Sequence, residues 1–243
     1  MLKAIESLST EMFVIHYGKT DEKETISRML DSLLNGKQFE NGIDIGAGNG
    51  SVTAPIHSRC RHLDILDIVK HYNDVLAFKF PDVNIINTDV LDYNFEKKYD
   101  IILFSHVLYY LPEEQWATIT EKLYQQLNRN GLLILIHMKF DPMHLLFEKI
   151  SKHYGYHYML FDDFKAQLSN LPKPEIYSYD MKTFFRPMDD IRLYLTNLFR
   201  LDDDKYLDQC ADEIDQFKAR LIEEDNIKYL PGYNEIMIFK KSE

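Results

Sequence analysis

Five short runs dominated by Ile, Leu and Val punctuate the first 140 residues: GIDI (42–45), LDILD (63–67), VNIIN (83–87), YDIILF (99–104) and GLLILIHM (131–138). Each has the length and composition of a buried strand, and between them lie segments whose apolar residues recur at helical spacing. IVKHYNDVLAFKF brings Ile68, Tyr72, Val75, Leu76 and Phe80 near one helix face. PEEQWATITEKLYQQL opens with Pro112 and two acids, as helix starts prefer, and Asn130 and Gly131 are expected to stop that helix before the fifth strand. The alternation predicts an α/β protein, a parallel sheet with helices on its faces. Beyond about residue 140 the rhythm changes. Helical patterns at 141–153, 187–200 and 205–224 flank a strand at EIYSYDMKTFF (175–185), and NEIMIFKK (234–241) supplies a last strand. NLPKP, residues 170–174, reads as a loop within a single domain.

Composition narrows the class. With 243 residues, 45% of them hydrophobic and 13% aromatic, the chain can bury a core without staples. A formal charge of -11 without clustered Lys and Arg argues against a nonspecific nucleic-acid binder, since phosphate contacts need such clusters, though it leaves room for a local basic patch. Cys60 and Cys210 stand 150 residues apart, which suggests neither a disulfide framework nor a zinc site and fits a reducing compartment. The N-terminal MLKAIESLSTEMF is interrupted by Glu6 and Glu11, and no apolar run approaches the roughly 20 residues that span a bilayer. The expectation is a soluble, cytoplasmic protein, monomer or homodimer, with no membrane or nucleic-acid partner.

The candidate chemistry begins at NGIDIGAGNGSV, residues 41–52, where a chain with nine glycines places three at alternate positions. The loop follows the first strand and opens the first helix, where open α/β sheets bind nucleotide-like ligands. Ser51 stands where the third small residue of a G-x-G-x-x-G dinucleotide fingerprint would be, which argues against NAD. Asp44-Ile45-Gly46-Ala47-Gly48-Asn49-Gly50 resembles motif I of the class I S-adenosylmethionine-dependent methyltransferases, an acid followed by apolar-Gly-x-Gly-x-Gly. Other segments carry the same resemblance in order over residues 42–137. Asp67, 21 residues after Gly46 and followed by Ile68, resembles the family's acid that accepts the ribose hydroxyls. Asp89 in NTDV resembles the acid that takes the adenine amino group, with the backbone of Val90 beside it. FSHVLYYLP, including Ser105, resembles the segment lining the methionine side, and LNRNGLLIL the helix-turn-strand before the fifth strand. Read from the residues alone, the competing roles are a helix cap for Asp67 and a turn residue for Asp89.

The resemblance implies S-adenosyl-L-methionine as cofactor, S-adenosyl-L-homocysteine as product, and a Rossmann-like seven-stranded sheet, mostly parallel, whose last strand is antiparallel. It also implies one domain with an N-terminal helical lid (1–35), a cofactor-binding core (36–140) and a C-terminal part (141–243) carrying a helical acceptor-binding insertion at about 187–226. Tyr17 would fold over the cofactor. The N/D-P-P-Y/F tetrapeptide of base and amide methyltransferases is missing after the fourth strand, and acids that would hold Mg²⁺ there are missing too, so no catalytic metal is expected. VLYYL after the fourth strand, FEKISKHYG after the fifth and a helical insertion before the last are similar to the order in histamine N-methyltransferase-like small-molecule methyltransferases.

These features point to methyl transfer onto nitrogen or oxygen of a small molecule. His106 is the candidate that binds or deprotonates the acceptor, and Tyr109, Tyr110, His137 and Phe184 are candidates to line it. Tyr154, Tyr156, Tyr158, Phe161, Phe184, Phe185 and Tyr194 are candidates for a cation-π cage, against the ordinary reading of core packing. His153 and His157 have metal-like i, i+4 spacing without a Glu between them and read as surface residues. In LDDDKYLDQCADEIDQF, the stripe Leu207, Cys210, Ile214, Phe217 and Leu221 reads as a buried helix face with the acids on the solvated side. The alternative is a noncatalytic domain of the same fold that binds cofactor or a partner.

Overall fold

The computed structural model describes residues 20–139, 144–154, 161–185, 191–192, 195–196 and 205–242. In chain order, helix α1 (Glu22–Leu33) precedes strand β1 (Phe39–Ile45), helix α2 (Ala54–His57), β2 (Cys60–Leu66), α3 (Asn73–Lys79), β3 (Asn84–Ile86) and β4 (Tyr99–Ser105). Helix α4 (Glu113–Gln125) and β5 (Leu127–Lys139) follow, then α5 (His144–Tyr154), α6 (Phe161–Gln167) and β6 (Glu175–Phe185). The chain closes with α7 (Ala211–Lys218), β7 (Ile222–Glu224) and β8 (Ile227–Lys240).

The strands run in the order β3-β2-β1-β4-β5-β8-β6, with β7 paired to β8 off this path. Pairings β2–β3, β1–β2, β1–β4 and β4–β5 are parallel. At the other edge of β5 the sense reverses. The Asn130 N–H donates to Lys241 O at 3.1 Å and the Lys241 N–H to Gly131 O at 2.9 Å, which sets the start of β5 beside the end of β8. The expected seven-stranded, mostly parallel sheet with its last strand antiparallel is therefore the observed one, with β7 as a short addition. Strand order reverses between β1 and β4, the switch point where such sheets open a crevice.

The central strands are apolar throughout because both faces are covered. Ile43 and Ile45, Ile65 and Leu66, Ile101 to Phe104 and Leu133 to Ile136 are all 2% exposed or less. Helix α1 buries Ile26 and Leu30 completely, and Leu34 just past its end is buried as fully. The described part of the expected N-terminal lid from Lys23 onward is thus a core helix. Two compact units emerge. The larger contains Lys23–Met138, Phe161–Ser178 and Asn234–Glu243, and the smaller contains the described residues of 1–22, 139–160 and 179–233. The smaller unit has its own core of Leu146, Ile150, Phe185, Leu195, Leu207, Cys210, Ile214, Phe217 and Leu230, with Leu221 partly buried against it. This is the stripe read from the sequence.

Several boundaries differ from expectation. The segment 68–80 is a 3-10 turn at Lys70–Tyr72 followed by α3, and Val75 is 39% exposed because the helix starts five residues later than its apolar pattern suggests. Helix α4 ends at Gln125 rather than at Asn130 and Gly131, since β5 begins pairing at Leu127. Asn130 instead takes φ 61° inside the irregular start of β5. The expected helix 205–224 is a 3-10 turn, Lys205–Cys210, then α7, and its last residues form β7. The helix 187–200 falls outside the described residues except at 191–192 and 195–196, which are helical. Among the described residues no helix is long and apolar enough to cross a membrane.

Candidate active site

The glycine loop leaves β1 with its backbone tied across the sheet, the Gly46 N–H donating to Leu66 O at 2.7 Å. Gly46, Gly48 and Gly50 all have positive φ, at 72°, 55° and 74°. Their surroundings differ. A Cβ at Gly46 would collide with Val107 Cγ2, and one at Gly50 would lie 2.7 Å from Phe80 Cε2, so these two glycines are required by the chain's own packing. At Gly48 a Cβ would meet only Tyr72, at 4.0 Å, among the described residues. The left-handed backbone there faces open space. Ala47 lies between these residues, and its carbonyl accepts the Gly50 N–H at 2.9 Å, closing the turn.

Asp67, one residue past β2, is 5% exposed and reaches back to this loop. Its Oδ2 accepts the Gly48 N–H at 2.7 Å and its Oδ1 the Val69 N–H at 2.8 Å. Burial raises the Asp67 pKa, and the two backbone donors and the charge of His71 oppose that rise. Each oxygen keeps lone-pair capacity for a further donor. The Asp67 backbone is held as well, its N–H by Ile86 O at 3.0 Å and its C=O by Asn87 Nδ2 at 2.8 Å. Ile68 follows it, half-buried. Asp44 lies deeper, 2% exposed, and accepts the Thr53 hydroxyl at 2.6 Å. Burial is the main cause of its pKa rising to about 7; Thr53 lowers it, nearby Asp67 raises it and Lys23 lowers it. Asp89 builds a turn, its Oδ1 accepting the Leu91 N–H at 2.9 Å, and Val90 is buried beside it.

The ends of β4 and β5 carry the second cluster. Ser105 closes β4 with its hydroxyl buried and without a hydrogen-bond partner among the described residues. His106 then adopts φ 57°, a conformation that costs a non-glycine residue about 1–3 kcal/mol and concentrates at functional sites. Its N–H donates to Ile136 O at 2.9 Å. The chain turns through Leu108–Tyr110, a 3-10 segment, which brings the Tyr109 hydroxyl to 3.2 Å from His106 Nδ1 and 2.6 Å from the Met138 N–H. His137, 0% exposed, packs its ring 4.3 Å from that of Tyr109 and 5.5 Å from Trp116. Its Nδ1 donates to Met138 O at 2.8 Å, and burial pushes its pKa down to about 3, so it is neutral. Tyr110 sets its ring edge-on to Tyr109, with centroids 6.5 Å apart. Because Val107 packs on Gly46, this cluster and the glycine loop share one end of the sheet.

Phe184 lies in the smaller unit, its ring 6.3 Å from Tyr229. Phe185 is 3% exposed and edge-on to Phe217, which gives it the packing role rather than a place in a cage. Tyr17, Tyr156, Tyr158, His157 and Tyr194 lie outside the described residues, as do the side chains of Tyr154 and Phe161. His153 is exposed and stacks on Tyr206 at 3.4 Å. Among the described residues no group of three or more His, Cys, Asp or Glu could hold a metal ion. Reading the sequence missed Thr53 and Asn87, whose side chains hold the two acids. Asn87 stands one residue past β3, a position that hints at its role, whereas Thr53 lies eight residues past β1 with no such signal.

Residues 43–131 match the protein family described as a methyltransferase domain. Carboxy-S-adenosyl-L-methionine synthase of Shewanella sp. (strain W3-18-1) is 25% identical over 173 residues, covering 65% of this chain and 71% of that protein. The fold is similar to that of N-methyltransferase NodS from Bradyrhizobium japonicum WM9 in complex with S-adenosyl-L-homocysteine, at TM-score 0.57 and 16% identity over 91% of this chain and 88% of that one. It is also similar to magnesium protoporphyrin IX methyltransferase from Synechocystis PCC 6803 with bound S-adenosyl-L-homocysteine, at TM-score 0.55 and 14% identity over 91% and 84%. With the glycine loop, the strand-end acids and the 3-2-1-4-5 sheet in place, residues 43–131 carry the methyltransferase-domain match on a fold similar to those of these two methyltransferases.

Proposed function

We propose that the chain is a class I S-adenosylmethionine-dependent methyltransferase that acts on a nitrogen or oxygen of a small-molecule acceptor. The observation that carries the reading is the left-handed backbone at Gly48, open among the described residues, tied to Asp67 and on the same sheet end as the buried Ser105 hydroxyl, which has no hydrogen-bond partner among those residues. That arrangement fits an amino acid and nucleoside laid along main chain rather than a pyrophosphate. When bound, S-adenosylmethionine supplies a methyl group on a sulfonium, already activated for in-line displacement, so the protein contributes mainly alignment and exclusion of water.

In this reading the Gly46–Gly50 loop with Ala47 backs the cofactor, and Asp67 with Ile68 holds the ribose. Asp89 and Val90 bound the adenine, Ser105 takes the methionine end, and Asp44 supports the loop from beneath through Thr53. His106 binds the acceptor or takes its proton, and Tyr109, Tyr110 and His137 shape the acceptor site. The names of the relatives support a small acceptor without choosing one, since one methylates at nitrogen and another acts on magnesium protoporphyrin IX. The name of the Shewanella relative supports a second reading, in which the chain modifies S-adenosylmethionine itself.

Calorimetric titration with S-adenosylmethionine and, separately, NAD tests the cofactor site. The expected result is micromolar binding of S-adenosylmethionine only, weakened at least 100-fold in Gly48→Arg, which fills the open face, and in Asp67→Ala. Mass spectrometry of incubations with small amines and hydroxylated acids then separates the readings. S-adenosylhomocysteine with a methylated acceptor supports methyl transfer, a heavier S-adenosylmethionine supports the second reading, and binding without any product leaves a noncatalytic domain.

A further inference from the structure

The cluster after β4 and β5 contains two histidines whose hydrogen-bond partners differ in kind. His137 Nδ1 meets a backbone carbonyl, Met138 O, at 2.8 Å. A carbonyl only accepts, so Nδ1 carries the hydrogen and the neutral ring leaves Nε2 as the acceptor. His106 Nδ1 meets the Tyr109 hydroxyl at 3.2 Å. That hydroxyl is already engaged by the Met138 N–H at 2.6 Å. An amide N–H only donates, so Tyr109 Oη is the acceptor in that bond and keeps its own hydrogen to give. Accepting one hydrogen bond polarises a hydroxyl and strengthens the one it donates.

We propose that Tyr109 is a positioning residue that fixes the tautomer of His106, donating its phenolic hydrogen to Nδ1 so that neutral His106 carries its proton on Nε2. Three features make the arrangement rigid. The His106 backbone is locked at φ 57° by its N–H bond to Ile136 O, 2.9 Å long. The Tyr109 and His106 rings lie nearly parallel, at 22°. Tyr109 is wedged on its other side by His137, ring centroids 4.3 Å apart. The inference rests on the proposed function for its consequence: His106 then offers the acceptor an N–H and not a lone pair. It orients an oxygen or nitrogen of the acceptor by donating to it, and the proton released on methylation passes to solvent rather than onto Nε2.

Long-range ¹H–¹⁵N correlation NMR of the intact protein reads tautomers directly, with His106 assigned by its loss in His106→Gln. At pH 8 the expected result is opposite patterns, His106 with a protonated Nε2 and a pyridine-like Nδ1, His137 the reverse. In Tyr109→Phe the His106 pattern shifts toward a mixture while that of His137 persists, which also certifies that the surrounding fold is intact. A protonated His106 Nδ1 in the wild type overturns the proposal, as does an unchanged His106 pattern in Tyr109→Phe. If that variant does not fold, the wild-type pattern alone decides. Titration with S-adenosylmethionine in the same samples is independent. Absence of binding removes the cofactor reading and leaves the tautomer result standing.

Discussion

Asp44 shows how far a side chain's role depends on what folds over it. Its carboxyl is completely buried against Thr53, and burial lifts its pKa from 3.8 to about 7. An unfolded chain releases that proton near pH 4, whereas the folded chain retains it until about pH 7. Between these values the native state binds more protons, so the stabilising contribution is full below about pH 4 and is lost as pH rises to 7. Denaturant unfolding of wild type and Asp44→Asn across pH 4–8 is expected to show the wild type losing about 2–4 kcal/mol relative to the variant over that range. A difference independent of pH would mean that Asp44 is ionised throughout. The sequence identified Asp44 as a motif acid because it sits between two isoleucines before a glycine. Its protonation was not legible there, since it depends on Thr53, nine residues on, and on the proximity of Asp67.

The glycine loop and the segment after β4 behave as one packed element although they are joined by no local chain. Gly46 has φ 72° and its missing Cβ leaves the space that Val107 fills. Gly46→Ala combines a strained backbone with a collision and is expected to cost about 1–3 kcal/mol or more. Val107→Ala in the same background removes the collision but not the strain. A double-mutant cycle is expected to give a favourable interaction of about 1 kcal/mol, and additive losses would mean that strain alone matters. The sequence had placed three glycines at a ligand. Two of them serve contacts with Val107 and Phe80, and only Gly48 faces open space among the described residues. Alternation of apolar runs located β1 to β5 because a strand's pattern is written in its own residues. The same reasoning misplaced the end of α4 and the nature of 222–224, since pairing with β8 decided the second and the early start of β5 the first.

At the scale of the whole molecule, the parallel centre of the sheet is the most completely covered region among the described residues. Ile101 to Phe104 and Leu133 to Ile136 are buried on both faces, whereas all of β7 is exposed. Native-state hydrogen exchange should therefore proceed last at the paired amides of β4 and β5 and first at Ile222–Glu224. Equal protection in the two regions would mean that the whole chain opens only globally. In such a hierarchy the glycine loop hangs from the rigid strands, and the Gly48, Asp67 and His106 positions inherit the precision of β1, β2 and β4. The amino-acid sequence was sufficient for the elements, the glycine loop and the order of the two acids. These follow from periodicities of two and 3.6 residues and from backbone needs that operate within a few positions. The partners were decided only in three dimensions. Tyr109 finds the Met138 amide 29 residues away, and Gly48 finds Asp67 19 residues away, because parallel strands bring their carboxyl ends together at one end of the sheet. No local pattern encodes that meeting, since it depends on the crossovers that set which strand lies beside which.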